Sequence, residues 1–156
     1  MRTTFVALLA LLLLVGSARS DEHGDDTGMF QPDAMKWQEG PKSIPVGAKL
    51  VILEGDPGKE GPFVMRLRLP NGYEIPAHTH PKVERLTVIS GTFNLVMGEK
   101  LDKKDVRKMP AGSFGYWPAG MKHRVWAEGE TEVQLHGIGP WTINYVNPDD
   151  DPRNKK

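Results

Sequence analysis

The rhythm of apolar and polar positions changes twice along the chain. Phe5 to Val15 is an unbroken apolar run of 11 residues, and Asp21 to Gly28 is acidic and has no apolar period. From Leu50 onward, short apolar or alternating stretches are divided by turn residues. Successive side chains of a strand point to opposite faces, so such stretches predict strands buried on at least one side. They are expected at Lys49–Leu53, Phe63–Leu69, Arg85–Ser90, Thr92–Met97, Ser113–Trp117, His123–Trp126 and Glu132–Leu135. Pro70-Asn71-Gly72 is a turn signal, and Gly91 parts two of the strands. Several short strands with Gly and Pro between them predict an all-β sandwich or barrel. The charged stretch Glu99–Lys108 is expected as an exposed loop or short helix over the barrel. Gln31–Gly40 predicts a short helical turn, with Asp33 as its cap and Met35 and Trp37 packed onto the domain.

These segments divide the chain into a signal peptide (1–20), an N-terminal extension (21–45), a β-barrel (46–146) and a flexible C-terminal tail (147–156). The signal peptide rests on Arg2, on the apolar run, and on the small residues Ala18 and Ser20 at cleavage-determining positions. A run of 11 residues is short against the about 20 that a membrane span needs. Cleavage after Ser20 is expected, with a cut after Ala18 or an uncleaved anchor as the competing readings. The mature protein is then periplasmic or secreted, with no stable membrane insertion.

Composition agrees with a strand-rich domain: 17 Gly and 13 Pro stand beside 38% hydrophobic residues. The 20 basic and 20 acidic residues balance, so there is no basic excess to neutralise phosphates, and nucleic acid is not an expected partner. Cysteine is absent, which excludes disulfides, thiolate metal sites and cysteine nucleophiles.

Three of the five histidines fall in two compact clusters. In the first, Gly72, His78, His80, Glu84 and Gly91 are spaced so that His78, His80 and Glu84 share strand parity. Pro81 cannot donate to a strand ladder, so a kink or bulge is expected between His80 and Glu84. In the second, Pro118 and Gly120 make a tight turn and His123 opens the strand beyond it. Three neutral imidazoles and a carboxylate suit one divalent Fe, Mn, Zn, Ni or Cu ion. His78, His80, Glu84 and His123 are therefore the candidate metal ligands. Gln134 and His136 alternate with Val133 and Leu135 on the expected last strand. They are candidate catalytic residues, and at least one of them is expected to face the same cavity as the metal ligands; in the competing reading Val133 and Leu135 face the core and His136 points out. Tyr73, Tyr116, Trp117, Trp126 and Trp141 are candidate pocket walls or simple packing, and Arg66 and Arg68 read as surface charge, or as a carboxylate-binding group if one of them points inward.

The two clusters resemble the two signature motifs of the cupin superfamily. The first fits at every position, while the second ends on Ala127 where an Asn is usual. His78-Thr79-His80-Pro81, Ser90-Gly91-Thr92-Phe93, Pro118-Ala119-Gly120-Met121 and His136-Gly137-Ile138-Gly139-Pro140 make the chain similar to small secreted single-domain cupins with a ChrR-like character. The resemblance spans roughly Leu50 to Tyr145 and implies a jelly-roll β-barrel and a homodimer. Two function classes follow. One is a metalloenzyme acting on a small-molecule substrate by dioxygenase-like or Lewis-acid chemistry. The other is a non-catalytic protein of the cell envelope that binds or senses a small ligand or metal.

Overall fold

The structure, a computed structural model, describes residues 28–155. The expected signal peptide and nearly all of the acidic leader lie outside the described residues. Among the described residues, nine strands run in chain order: β1 (Gln38–Glu39), β2 (Lys49–Glu54), β3 (Gly61–Leu69), β4 (Glu74–Thr79), β5 (Glu84–Met97), β6 (Arg107–Pro110), β7 (Phe114–Trp117), β8 (His123–Gly139) and β9 (Asn144–Tyr145). Every pairing is antiparallel.

Two long strands organise the rest. The N-terminal half of β8 lies between β4 and β5, and its C-terminal half lies between β3 and β5. The N-terminal half of β5 pairs with β7, and its C-terminal half with β6. The result is two half-sheets, β1-β2-β3-β8-β5-β7 and β9-β4-β8-β5-β6, joined through β5 and β8. This is the expected jelly roll, although the hydrogen-bonded path does not close into a ring.

Gly91 is where β5 changes sheets. Its φ is +73°, and a Cβ there would sit 2.4 Å from the Glu130 carbonyl oxygen, so only glycine fits. The register between β5 and β8 shifts on both sides of Ser90, and the buried positions shift with it. Before Gly91, Leu86 and Val88 are buried; after it, Phe93 and Leu95 are. One bulge thus lets a single strand send side chains into the core from both half-sheets. Val133 and Leu135 on β8, and Phe63, Met65, Leu67 and Leu69 on β3, complete that core. Each large aliphatic or Phe side chain there contributes about 1.5–3 kcal/mol on leaving water.

Three expectations are corrected. Arg85–Ser90 and Thr92–Met97 form one strand, as do His123–Trp126 and Glu132–Leu135. The charged stretch contains a 3-10 turn at Lys103–Asp105 and then a real strand, β6, pairing with Thr92–Leu95. It is an edge strand with mostly exposed side chains, so charge is compatible with it and the apolar period is lost. Finally, Asp33 does not cap the N-terminal turn: Pro32–Ala34 is a 3-10 turn headed by Gln31, without a side-chain cap.

Met35 and Trp37 do pack onto the domain. Arg66 Nη1 lies 3.8 Å from the Met35 sulfur, and the Arg68 guanidinium carbon is 4.2 Å from the Trp37 ring centroid. Residues after Asn147 form two further 3-10 turns, Pro148–Asp150 and Pro152–Asn154, and Arg153 reaches back to the Ile143 carbonyl at 3.0 Å.

Candidate metal centre

His78 and His123 are cross-strand partners of β4 and β8, and their ring centroids are 4.1 Å apart. His80 lies just beyond β4, where the chain turns through Pro81 and Lys82 before β5 begins. Glu84 is the first residue of β5 and belongs to the other half-sheet. The kink expected from Pro81 therefore carries the chain from one half-sheet to the other. The cluster is assembled across that gap rather than along one extended segment. The second motif holds the turn in place: the Gly120 N–H donates to the His80 carbonyl at 2.9 Å. Gly120 has φ +76°, which suits the tight turn after Pro118.

All three rings are oriented from behind. Nδ1 of His78, His80 and His123 lies 2.6, 2.7 and 2.9 Å from the carbonyl oxygens of Pro76, Thr142 and Met121 respectively. A backbone carbonyl only accepts, so each Nδ1 carries a proton and Nε2 is the ring nitrogen left to face the cluster. The Trp141 ring stacks on His80, with centroids 4.3 Å apart and planes 17° apart. One ligand nitrogen from each of the three rings lies within 4.8 Å of the others.

Glu84 closes the cluster. Its Oε2 is 3.1 Å from His80 Nε2 and 3.3 Å from His123 Nε2, and it accepts a 2.9 Å hydrogen bond from Trp117 Nε1. Trp117 and Glu84 are register partners on β7 and β5. His78, His80, Glu84 and His123 are all buried. His123 Nε2 makes no hydrogen bond although it has no contact with solvent.

The electrostatics favour the forms that a cation requires. Burial, reinforced by the rings of His123 and His80, pushes the His78 imidazole down to about 3. Burial pushes the Glu84 carboxyl up, but the imidazoles of His123 and His80 against it prevail, and it rests below the usual carboxylate range. Near neutral pH the cluster thus holds an uncharged His78 and a carboxylate. A buried imidazole nitrogen without a partner, two more beside it and one anionic oxygen make a donor set that fits a divalent ion.

The cluster opens on a cavity of about 90 Å³. His78, His80 and Glu84 form its polar corner, and Leu67, Leu86 and Leu135 lie among its apolar wall residues. Gln134 and His136 do not face it, which corrects the expectation that one of them does. Val133 and Leu135 are the inward residues of β8, so residues of the opposite parity lie on the outer face. There Gln134 accepts from Arg66 Nε at 2.8 Å, and Glu132 bridges Arg66 and Arg68 at 3.0 and 3.2 Å. Arg66 and Arg68 are outer-face residues of β3, as expected of surface charge.

Among the aromatic candidates, Trp141 lines the cavity and Tyr116 is exposed. Tyr73 is buried and donates to the Pro45 carbonyl, and Trp126 is half-buried. Sequence reasoning missed the role of Trp117 as a donor to Glu84 and the Thr142 carbonyl behind His80. Nothing local marks a pair separated by 33 residues, and a backbone carbonyl has no sequence signature at all.

Residues 25–142 match the family described as ChrR Cupin-like domain. No curated protein gives a significant match. Among solved structures, the chain resembles a polyketide cyclase, RemF, from Streptomyces resistomycificus, with 15% identity and a TM-score of 0.66 over 81% of this chain and 89% of that one. An acetylacetone dioxygenase from Acinetobacter johnsonii gives 14% and 0.63, with 87% of each chain covered. A putative acetylacetone dioxygenase from Methylibium petroleiphilum PM1 gives 23% and 0.62 over 81% of this chain and 85% of that one. At these identities the likeness establishes the fold.

Proposed function

The chain belongs to the ChrR cupin-like family, and on that premise we propose that it is an exported, metal-dependent enzyme acting on a small molecule. Three buried imidazoles, each turned by a backbone carbonyl so that its Nε2 faces the others beside Glu84, carry this reading. His78, His80, His123 and Glu84 are the residues that would hold the ion. A divalent Fe, Mn, Zn, Ni or Cu ion supplies a Lewis acid or a redox centre to a small-molecule oxygen when bound.

The protein's own groups do the rest. The carbonyls of Pro76, Thr142 and Met121 fix the rings, so little reorganisation accompanies binding. Trp117 keeps the Glu84 carboxylate aimed at His80 and His123. The aliphatic wall lowers the polarity around the corner, which strengthens the electrostatics there. Solved structures of similar fold include a dioxygenase and a cyclase, so fold alone does not select the reaction.

The test is direct. Protein loaded in turn with Fe, Mn, Ni, Cu and Zn is assayed for oxygen uptake and for consumption of phenolic, thiol and keto-acid compounds. Thermal-shift binding is measured on the same set. Turnover with one metal supports the enzyme. Tight binding of one compound without turnover under all five metals makes this a binding protein. Export rests on Arg2, Phe5–Val15 and the Ala18-Arg19-Ser20 site, and N-terminal sequencing of the native protein tests it: Asp21 as first residue agrees, Met1 does not.

A further inference from the structure

The cavity wall is strongly asymmetric. Away from the polar corner it is built from Met65, Leu67, Leu86, Phe93, Val133 and Leu135, which offer no donor and no acceptor stronger than the Met65 thioether. Among the described residues that line it, Glu84 is the only charged one outside the imidazoles. No lysine, arginine, asparagine or glutamine reaches it among those residues. Its only side-chain hydroxyls are those of Ser43 and Thr142, and Thr142 is solvent-exposed.

This wall sets what can enter. A sugar, a phosphate ester or a polycarboxylate would give up its water hydrogen bonds and find no partners along the aliphatic surface. An apolar body loses nothing there and gains from leaving water. The polar corner sets the head group. Glu84 contributes one negative charge, so a divalent ion held by it and three neutral imidazoles leaves a single net positive charge. One anionic or enolisable oxygen head matches that charge; two or three do not.

We propose that the cavity takes a small, largely hydrocarbon molecule with one monoanionic or enolisable oxygen head, and rejects sugars, phosphates and polycarboxylates. The head sits at His78, His80 and Glu84, and the body lies against Leu67, Leu86 and Leu135. This rests on the metal reading for the head group, but the body selectivity stands on the wall alone.

The experiment is a calorimetric titration with straight-chain monocarboxylates from acetate to octanoate, with citrate and glucose 6-phosphate as counter-probes. It is run on zinc-loaded and on zinc-free protein, with zinc content measured separately. Affinity is expected to rise about fourfold per added methylene until the cavity is filled, then level off. On zinc-free protein, where citrate cannot act by chelating the metal, citrate and glucose 6-phosphate are expected to give no heat of binding at concentrations where octanoate saturates. Removing zinc is expected to weaken every monocarboxylate while keeping the chain-length slope. The variant Leu67→Phe, which narrows the cavity, is expected to weaken octanoate more than acetate. Binding of citrate or glucose 6-phosphate to zinc-free protein as tight as octanoate, or no dependence on chain length, overturns the inference. An unchanged octanoate affinity in folded Leu67→Phe also overturns it, since binding would then be elsewhere. Failure to take up zinc would sink the metal reading instead, and the zinc-free series would still decide the wall.

Discussion

The indole nitrogen of Trp117 donates to Glu84 Oε2 across 2.9 Å, between register partners on adjacent strands of the same half-sheet. The same oxygen faces His80 and His123, which arrive from the turn after β4 and from the other half-sheet. Trp117 therefore positions the carboxylate of Glu84, and it is not among the residues that line the cavity. Trp117→Phe keeps most of the packing volume and removes the donor. It is expected to lower affinity for a divalent ion about 10–100-fold and to cost about 1–3 kcal/mol of stability. Chelator competition and thermal melts measure the two effects. Unchanged metal affinity in a destabilised variant would show that Trp117 only fills space.

Stability of the metal-free protein should fall as pH falls. The His78 imidazole is pushed from its ordinary 6.5 down to about 3 in the folded protein, so the unfolded chain takes up that proton first. Acid therefore favours unfolding progressively from about 6.5 downward until about 3 is passed. Glu84 adds to the same direction below its ordinary 4.5, because its folded carboxyl is held lower still. Melting temperatures from about pH 7 to pH 4 should decline, and His78→Gln should flatten that decline above about pH 5. A wild-type profile as flat as that of His78→Gln would contradict the assignment of a neutral, buried His78.

Gly91 and Gly120 both have positive φ, but only Gly91 is also crowded. A Cβ at Gly91 meets the Glu130 carbonyl oxygen at 2.4 Å and Thr131 Cα at 2.8 Å, whereas nothing lies within 4 Å at Gly120. Gly91→Ala combines backbone strain with overpacking and is expected to cost about 2–4 kcal/mol. Gly120→Ala meets strain alone, at about 1–2 kcal/mol. Urea melts of the pair test this, and equal losses would contradict a close approach at Gly91.

The strands and the four clustered donors were legible because both follow simple periods. Alternation marked β2, β3, β5 and β8, and the spacing of His78, His80, Glu84 and His123 marked a chemistry that ordinary packing does not need. What stayed hidden depends on contacts between distant segments. β6 is an edge strand with charged, exposed side chains, so it has no apolar signal to read. Gln134 and His136 alternate with Val133 and Leu135, and alternation alone does not say which set faces in. Packing settled it: Val133 and Leu135 join the core, while Gln134 pairs with Arg66 outside. The carbonyls behind the three histidines and the donor behind Glu84 appear only when the half-sheets are brought together.

The metal content of purified protein, measured by mass spectrometry for the wild type and for His123→Ala, tests the central claim most directly. His123 is fully enclosed, its Nδ1 is engaged by the Met121 carbonyl, and its Nε2 is left without a hydrogen bond beside Glu84. The outer-face variant His136→Ala serves as the control. Close to one divalent ion per chain is expected in the wild type and in His136→Ala, and most of that metal is expected to be lost in His123→Ala. Equal metal content in the wild type and in folded His123→Ala would contradict it.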